Sequence, residues 1–62
     1  MVGTIKSFSR QHGYGFISVG NKDLYFHVKD WLSSGSPFAG DEVQFAAYKT
    51  PKGYKAKKVR RL

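Results

Sequence analysis

Two neighbouring stretches alternate ring-bearing or polar residues with aliphatic ones at a period of two, which only paired β-strands use fully. The first runs His12-Gly13-Tyr14-Gly15-Phe16-Ile17-Ser18-Val19, the second Asp23-Leu24-Tyr25-Phe26-His27-Val28. In the first, Tyr14, Phe16 and Ser18 share one face, and Gly15, Ile17 and Val19 the other. In the second, Tyr25 and His27 share one face, and Leu24, Phe26 and Val28 the other. Each strand has an aliphatic-rich side and a side of flat rings with polar tips.

Aromatic residues usually fill cores, but here the ring side also carries Ser18 and the titratable His27, which a dry interior accommodates badly. Burying Ile17, Val19, Leu24, Phe26 and Val28 strands no polar group. The ring side is therefore expected to face out. A cluster of exposed rings is an interaction surface, and its natural partner is a nucleobase, because every base has a π-face.

The rest of the chain supplies three more strands. Met1 to Phe8 alternates loosely, with Val2 and Ile5 expected in the core and Lys6 outside. Ser9 to Gly13 is a polar loop, and Gly20-Asn21-Lys22-Asp23 a short turn joining a hairpin. Lys29 to Leu32 reads as one helical turn, with Trp31 and Leu32 covering a barrel end. Ser33 to Gly40 is a loop broken by Gly35, Pro37 and Gly40. Glu42 to Tyr48 is the fourth strand, with Val43, Phe45 and Ala47 on one face. Lys49 to Gly53 is a turn, and Tyr54 to Leu62 the last strand, with Ala56 and Val59 inward. No segment holds a helical period over 11 or more residues. Five short strands with Gly-rich turns predict one all-β domain over residues 1–62, a small closed barrel without free edges.

Charge narrows the function. Eleven Lys and Arg against four Asp and Glu give a formal net charge of +7 in 62 residues. Such an excess points to a polyanion, nucleic acid before an acidic membrane surface. A chain this short buries only about 60% of its unfolded surface, leaving little room for both a core and a deep catalytic pocket. Cysteine is absent, so there is no disulfide framework or thiolate metal site. No stretch resembles a signal peptide, and no apolar run approaches the roughly 18 residues of a membrane span. A cytoplasmic protein is expected.

The two motifs resemble those of the cold-shock domain, a small five-stranded antiparallel OB-fold barrel that binds single-stranded RNA and DNA. That family's Lys-Gly-Phe-Gly-Phe-Ile is His12-Gly13-Tyr14-Gly15-Phe16-Ile17 here, and its Val-Phe-Val-His-Phe is Leu24-Tyr25-Phe26-His27-Val28. Order, spacing and length agree over essentially the whole chain. The resemblance implies that Tyr14, Phe16, Tyr25 and His27 occupy base-stacking positions. It puts Lys6 and Phe8 in the family's Lys-Trp-Phe-Asn stretch, and Phe38 in a loop that adds another stacking ring. Four positions depart: Ser7 stands for the exposed Trp, Ser9 for the Asn, His12 for the Lys and Val28 for the last Phe. Two stacking rings are thus missing, and each base–aromatic stack is worth ~1–3 kcal/mol.

The charge suggests compensation. Lys49, Lys52, Lys55, Lys57, Lys58, Arg60 and Arg61 fall in the last stretch of chain with no acid among them. Such runs are commonly just solvated, but the overall excess favours contacts to phosphates, with Lys6, Arg10, Lys29 and Lys52 attracting the backbone. Asp23 and Asp41 read as turn residues. No metal-ligand spacing, no nucleophile paired with a base and no paired carboxylates are present, so neither metal, cofactor, small-molecule substrate nor catalysis is expected. Tyr48 and Tyr54 are open between strand packing and rim contacts. The expectation is a monomer that binds single-stranded RNA or DNA with slight sequence preference and works like an RNA chaperone. Two rivals remain: a chromatin-like barrel on duplex DNA, and an SH3-like adaptor gripping a peptide.

Overall fold

The computed structural model describes residues 1–62. Its strands are β1 (Val2–Ser9), β2 (Tyr14–Val19), β3 (Lys22–His27), β4 (Glu42–Thr50) and β5 (Gly53–Arg61), with a 3-10 turn at Val28–Asp30. They close in the order β1-β2-β3-β5-β4. All pairings are antiparallel except β3 with β5, which run parallel at Tyr25↔Lys55. An odd ring of strands cannot alternate direction all the way round, so one parallel seam is unavoidable. It falls between two strands that no hairpin joins.

The core is Ile5, Ile17, Leu24, Phe26, Val43, Phe45, Ala56 and Val59, with Phe8, Val19, Trp31 and Ala47 packed against it. Burying each large aliphatic or Phe side chain contributes ~1.5–3 kcal/mol. Period-two alternation carries most of this pattern, and two register shifts complete it. One lies between Ile5 and Ser7 of β1, opposite β2. It turns Lys6 and Ser7 out together and brings Phe8 back in. The other lies in the β4–β5 ladder, where Ala46 pairs with Lys57 but Gln44 with Arg60. It lets Ala56 and Val59 both point inward, three residues apart, with Lys57 and Lys58 outside. Lys58 takes the strain, as the one non-glycine residue with positive φ, at 53°.

Several inward placements differ from expectation. Val2 is 54% exposed, because Gly3 holds the inward position on β1. A Cβ on Gly3 would lie 2.7 Å from Ile17 Cγ2 and 2.8 Å from Val19 Cγ2, so the absent side chain makes room for β2. Val28 is 40% exposed, because β3 ends at His27 and the chain turns away. Leu32 is 58% exposed and leaves the barrel end to Trp31, whose backbone bridges to Val59. The β2–β3 turn is only Gly20-Asn21, with Val19 paired to Lys22; Asp23 is therefore a strand residue opposite Ser18. The β4–β5 turn shortens likewise to Pro51-Lys52 between paired Thr50 and Gly53. The helical turn begins one residue earlier than expected.

The 31–41 segment is held by Arg61. Its Nε and Nη2 donate to Asp41 Oδ2 at 3.1 and 2.9 Å, and its Nη1 and Nη2 to the carbonyls of Ser34 and Ser36. Its backbone N–H donates to Ser33 Oγ at 2.8 Å, and its guanidinium lies 5.2 Å from the Trp31 ring centroid. Counted in the sequence with the free basic residues, Arg61 is in fact a clamp on this loop.

Candidate nucleic-acid interface

Cross-strand register puts Tyr14 opposite His27 and Phe16 opposite Tyr25 on the outer face of β2 and β3. Three of these rings touch. Tyr14 and Tyr25 are near-parallel with centroids 5.6 Å apart, and Phe16 meets each edge-on at 6.1 Å. All are half-buried, their inner edges supported by the sheet. Ring pairs of this kind are worth ~0.5–1.5 kcal/mol each beyond area burial. Mutual contact holds the rings in place before any ligand arrives, so little side-chain entropy is left to lose on binding.

Backbone geometry sets the entrance to this face. Gly13, with φ 73°, receives the Val28 N–H at its carbonyl (2.8 Å) and donates its own N–H to Ser9. That contact ties the β1–β2 loop to the end of β3. A side chain on Gly15 would run into the Ser7 carbonyl oxygen and lie 3.0 Å from the Phe26 ring. Glycine there lets β1 approach β2 at the bulge that exposes Ser7 beside Phe16.

His27 has a second task. Its Nδ1 accepts the Lys29 N–H at 3.1 Å and caps the 3-10 turn. In the neutral ring the proton is then on Nε2, a donor for a ligand acceptor. His12, its centroid 6.0 Å from that of Tyr14, extends the aromatic row and hydrogen-bonds Ser9.

The other predicted positions are more dispersed. Lys6 lies at the cluster's edge, its ammonium 2.8 Å from Asp23 Oδ2 in an exposed pair. Such pairs contribute little and open readily to a competing anion. Phe8 stands apart from the rings, half-buried on the inner side with its ring stacked on Phe26 at 5.9 Å. It lines a shallow depression with Arg10, Val28 and Pro37. Lys29 is exposed just beyond His27. Phe38 is 61% exposed in the loop before β4, its N–H held by Asp41 Oδ2 at 3.1 Å. Lys52 lines a depression of about 320 Å³ with Tyr25, Tyr54 and Lys55.

Lys55, which the sequence placed only within the basic run of the last strand, lies over a ring of the cluster, with Nζ 5.2 Å from the Tyr25 centroid. Only the parallel β3–β5 seam brings it there, and no local pattern announces that seam. Tyr48 and Tyr54 are rim residues: both are exposed, with Lys57 and Lys22 over their rings at 5.3 and 5.5 Å. Off this face, Asp41 is held as a carboxylate by Arg61. The Arg61 hydrogen bonds hold the Asp41 carboxyl below its usual 3.8, and the Phe38 N–H adds to the effect. No three His, Asp or Glu side chains converge as metal ligands would.

Comparison with known proteins adds an independent line. The model of the 'Cold-shock' DNA-binding domain matches residues 1–62. A cold shock-like protein of Aquifex aeolicus is 39% identical over 97% of this chain and 91% of its own length. The cold shock domain-containing protein CG9705 of Drosophila melanogaster is 39% identical over 87% of this chain, which spans only 39% of that longer protein. Among solved structures, drosophila Unr CSD456 superposes with a TM-score of 0.81 at 28% identity, covering 98% of this chain and 26% of that one.

Proposed function

This chain belongs to the cold-shock domain family, a nucleic-acid-binding family without enzymatic activity, and on that premise we propose that it binds single-stranded RNA or DNA through the outer face of β2 and β3. The observation that carries this reading is the contact cluster of Tyr14, Phe16 and Tyr25 beside His27. Unpaired bases stack on these rings and offer acceptors to His27, with Phe38 as an outlying ring. Lys6, Lys52 and Lys55 border the cluster and draw in phosphates, while Arg10 and Lys29 extend the basic border at the loop end. Stacking and charge discriminate little between bases, so sequence preference is slight.

A strand stacked on this face cannot pair there. The monomeric protein thereby disfavours hairpins, as an RNA chaperone does, without consuming a nucleotide. Fluorescence titration with matched single-stranded and duplex oligonucleotides tests the reading. Tighter binding to the single strand is the expected result. Equal affinity for both would favour a duplex-binding barrel, and binding that survives nuclease treatment a protein adaptor.

A further inference from the structure

The strand order sets β2 across the barrel from the β4–β5 seam. The outer face of that seam is therefore turned away from Tyr14 and Phe16. It carries Lys57, Lys58 and Arg60, all exposed, beside Gln44, Ala46 and Tyr48 of β4. Neither of the protein's ion pairs involves these three cations: Lys6 takes Asp23, and Arg61 takes Asp41. The nearest acid along β4, Glu42, lies beside the end of β5, where its carbonyl accepts the Leu62 N–H, and its carboxylate makes no ion pair. Lys57 lies over the Tyr48 ring at 5.3 Å, which keeps its ammonium at the surface.

Lys58 stands at the bulge of this ladder. Its φ of 53° lies in the left-handed region, where side chains are disfavoured and Gly or Asn is cheaper. The bulge that keeps both Ala56 and Val59 in the core imposes this strain. What the strain achieves is two consecutive lysines facing outward together.

We propose that this face is a second nucleic-acid surface, contacting phosphates rather than bases, and that the domain thereby holds two strands at once. The ring beside these cations, Tyr48, lies under Lys57, so bases have little to stack on. Phosphate contacts need no unpaired base, so the face accepts single strand and duplex alike. The inference rests on the nucleic-acid reading above only for the identity of the first strand. Holding two strands together promotes their annealing, which complements the melting of hairpins on the other side.

Separation of the faces makes the idea testable. Counted along β5 at about 3.3 Å per residue, Lys58 and Arg60 lie roughly 10 and 17 Å from Lys55, the residue over the Tyr25 ring, about one and two Debye lengths at physiological salt. Charges on the far face therefore act weakly on a strand held by the rings. The experiment mixes donor-labelled and acceptor-labelled oligonucleotides of non-complementary sequence with the protein and reads energy transfer. The parent should give transfer that rises with protein and falls again at protein excess, the mark of a bivalent bridge. The exposed triple variant Lys57→Gln, Lys58→Asn, Arg60→Gln, its fold checked by thermal melting, should lose the transfer. It should hold one short single strand within about twofold of the parent. Undiminished transfer in the variant overturns the second surface. So does a one-strand affinity that falls in step with the transfer, since the cations would then serve the ring-bound strand. Phe16→Ala separates the two readings. If it leaves single-strand affinity unchanged the ring platform fails, while the far face stands or falls by the triple variant alone.

Discussion

Tyr25 and Lys55 face each other across the one parallel seam of the barrel, the ammonium 5.2 Å from the ring centroid. The seam joins the aromatic face of β2 and β3 to the basic strand β5 and sets a lysine over a ring of the cluster. Lys55→Gln should weaken single-strand binding and make the dependence of log K on log salt shallower by about 0.7. Lys57→Gln, two residues further along β5 and over Tyr48 rather than a ring of the cluster, should change both less. Salt-dependent titrations of the two variants check this. Identical behaviour would mean that the basic strand acts through net charge alone.

Ser7 pairs in register with Phe16 and is exposed at the β1 bulge. Ser7→Trp should therefore add a ring to the platform and strengthen single-strand binding by ~1–3 kcal/mol, without overpacking the core. Weaker binding, or a lower melting temperature, would place that side chain elsewhere.

Lys58 occupies a left-handed conformation. Lys58→Gly should relieve it and raise stability by about 1 kcal/mol, less glycine's added chain entropy. Lys58→Val should lower stability, because a β-branched side chain resists this conformation most. Denaturant melts of the two variants should move in opposite directions.

Asp41 is stabilised as a carboxylate in the folded state, chiefly by hydrogen bonds from Arg61. Its folded pKa lies below the unfolded value. Its contribution is thus complete above that value and fades as pH falls through the folded one. Asp41→Asn should lower the melting temperature at about pH 6 and converge on the parent toward about pH 2. A constant difference across that range would show that the carboxylate charge is not what Arg61 recognises.

Most of the barrel was legible because its signal is local. Alternation marks both faces of β2 from Tyr14 to Val19 and shows which side of β3 carries Tyr25 and His27. Features set by distant contacts were not legible. Val2 looks like a core residue until Gly3 is seen to make room for Ile17 and Val19. Val28 continues the alternation of β3, but its N–H goes to Gly13 and the His27 cap turns the chain away. Phe8 belongs to a familiar aromatic stretch, yet the bulge before it sends the ring onto Phe26. Among the basic residues, only tertiary structure separates Arg61, committed to Asp41 and Trp31, from Lys55, which borders the rings.

The central claim is that one strand carries the binding face on one side and the core on the other. Thermal melts and oligonucleotide titrations on Phe16→Ala and Ile17→Ala test it directly. Phe16 is half-buried in the ring cluster, whereas Ile17 is wholly enclosed. Phe16→Ala should cost ~1–3 kcal/mol of single-strand binding with a modest effect on stability. Ile17→Ala should open a cavity costing ~2–5 kcal/mol of stability, with near-normal binding by the molecules that stay folded. A fold that collapses with Phe16→Ala and tolerates Ile17→Ala would contradict the account, because the rings would then be the core.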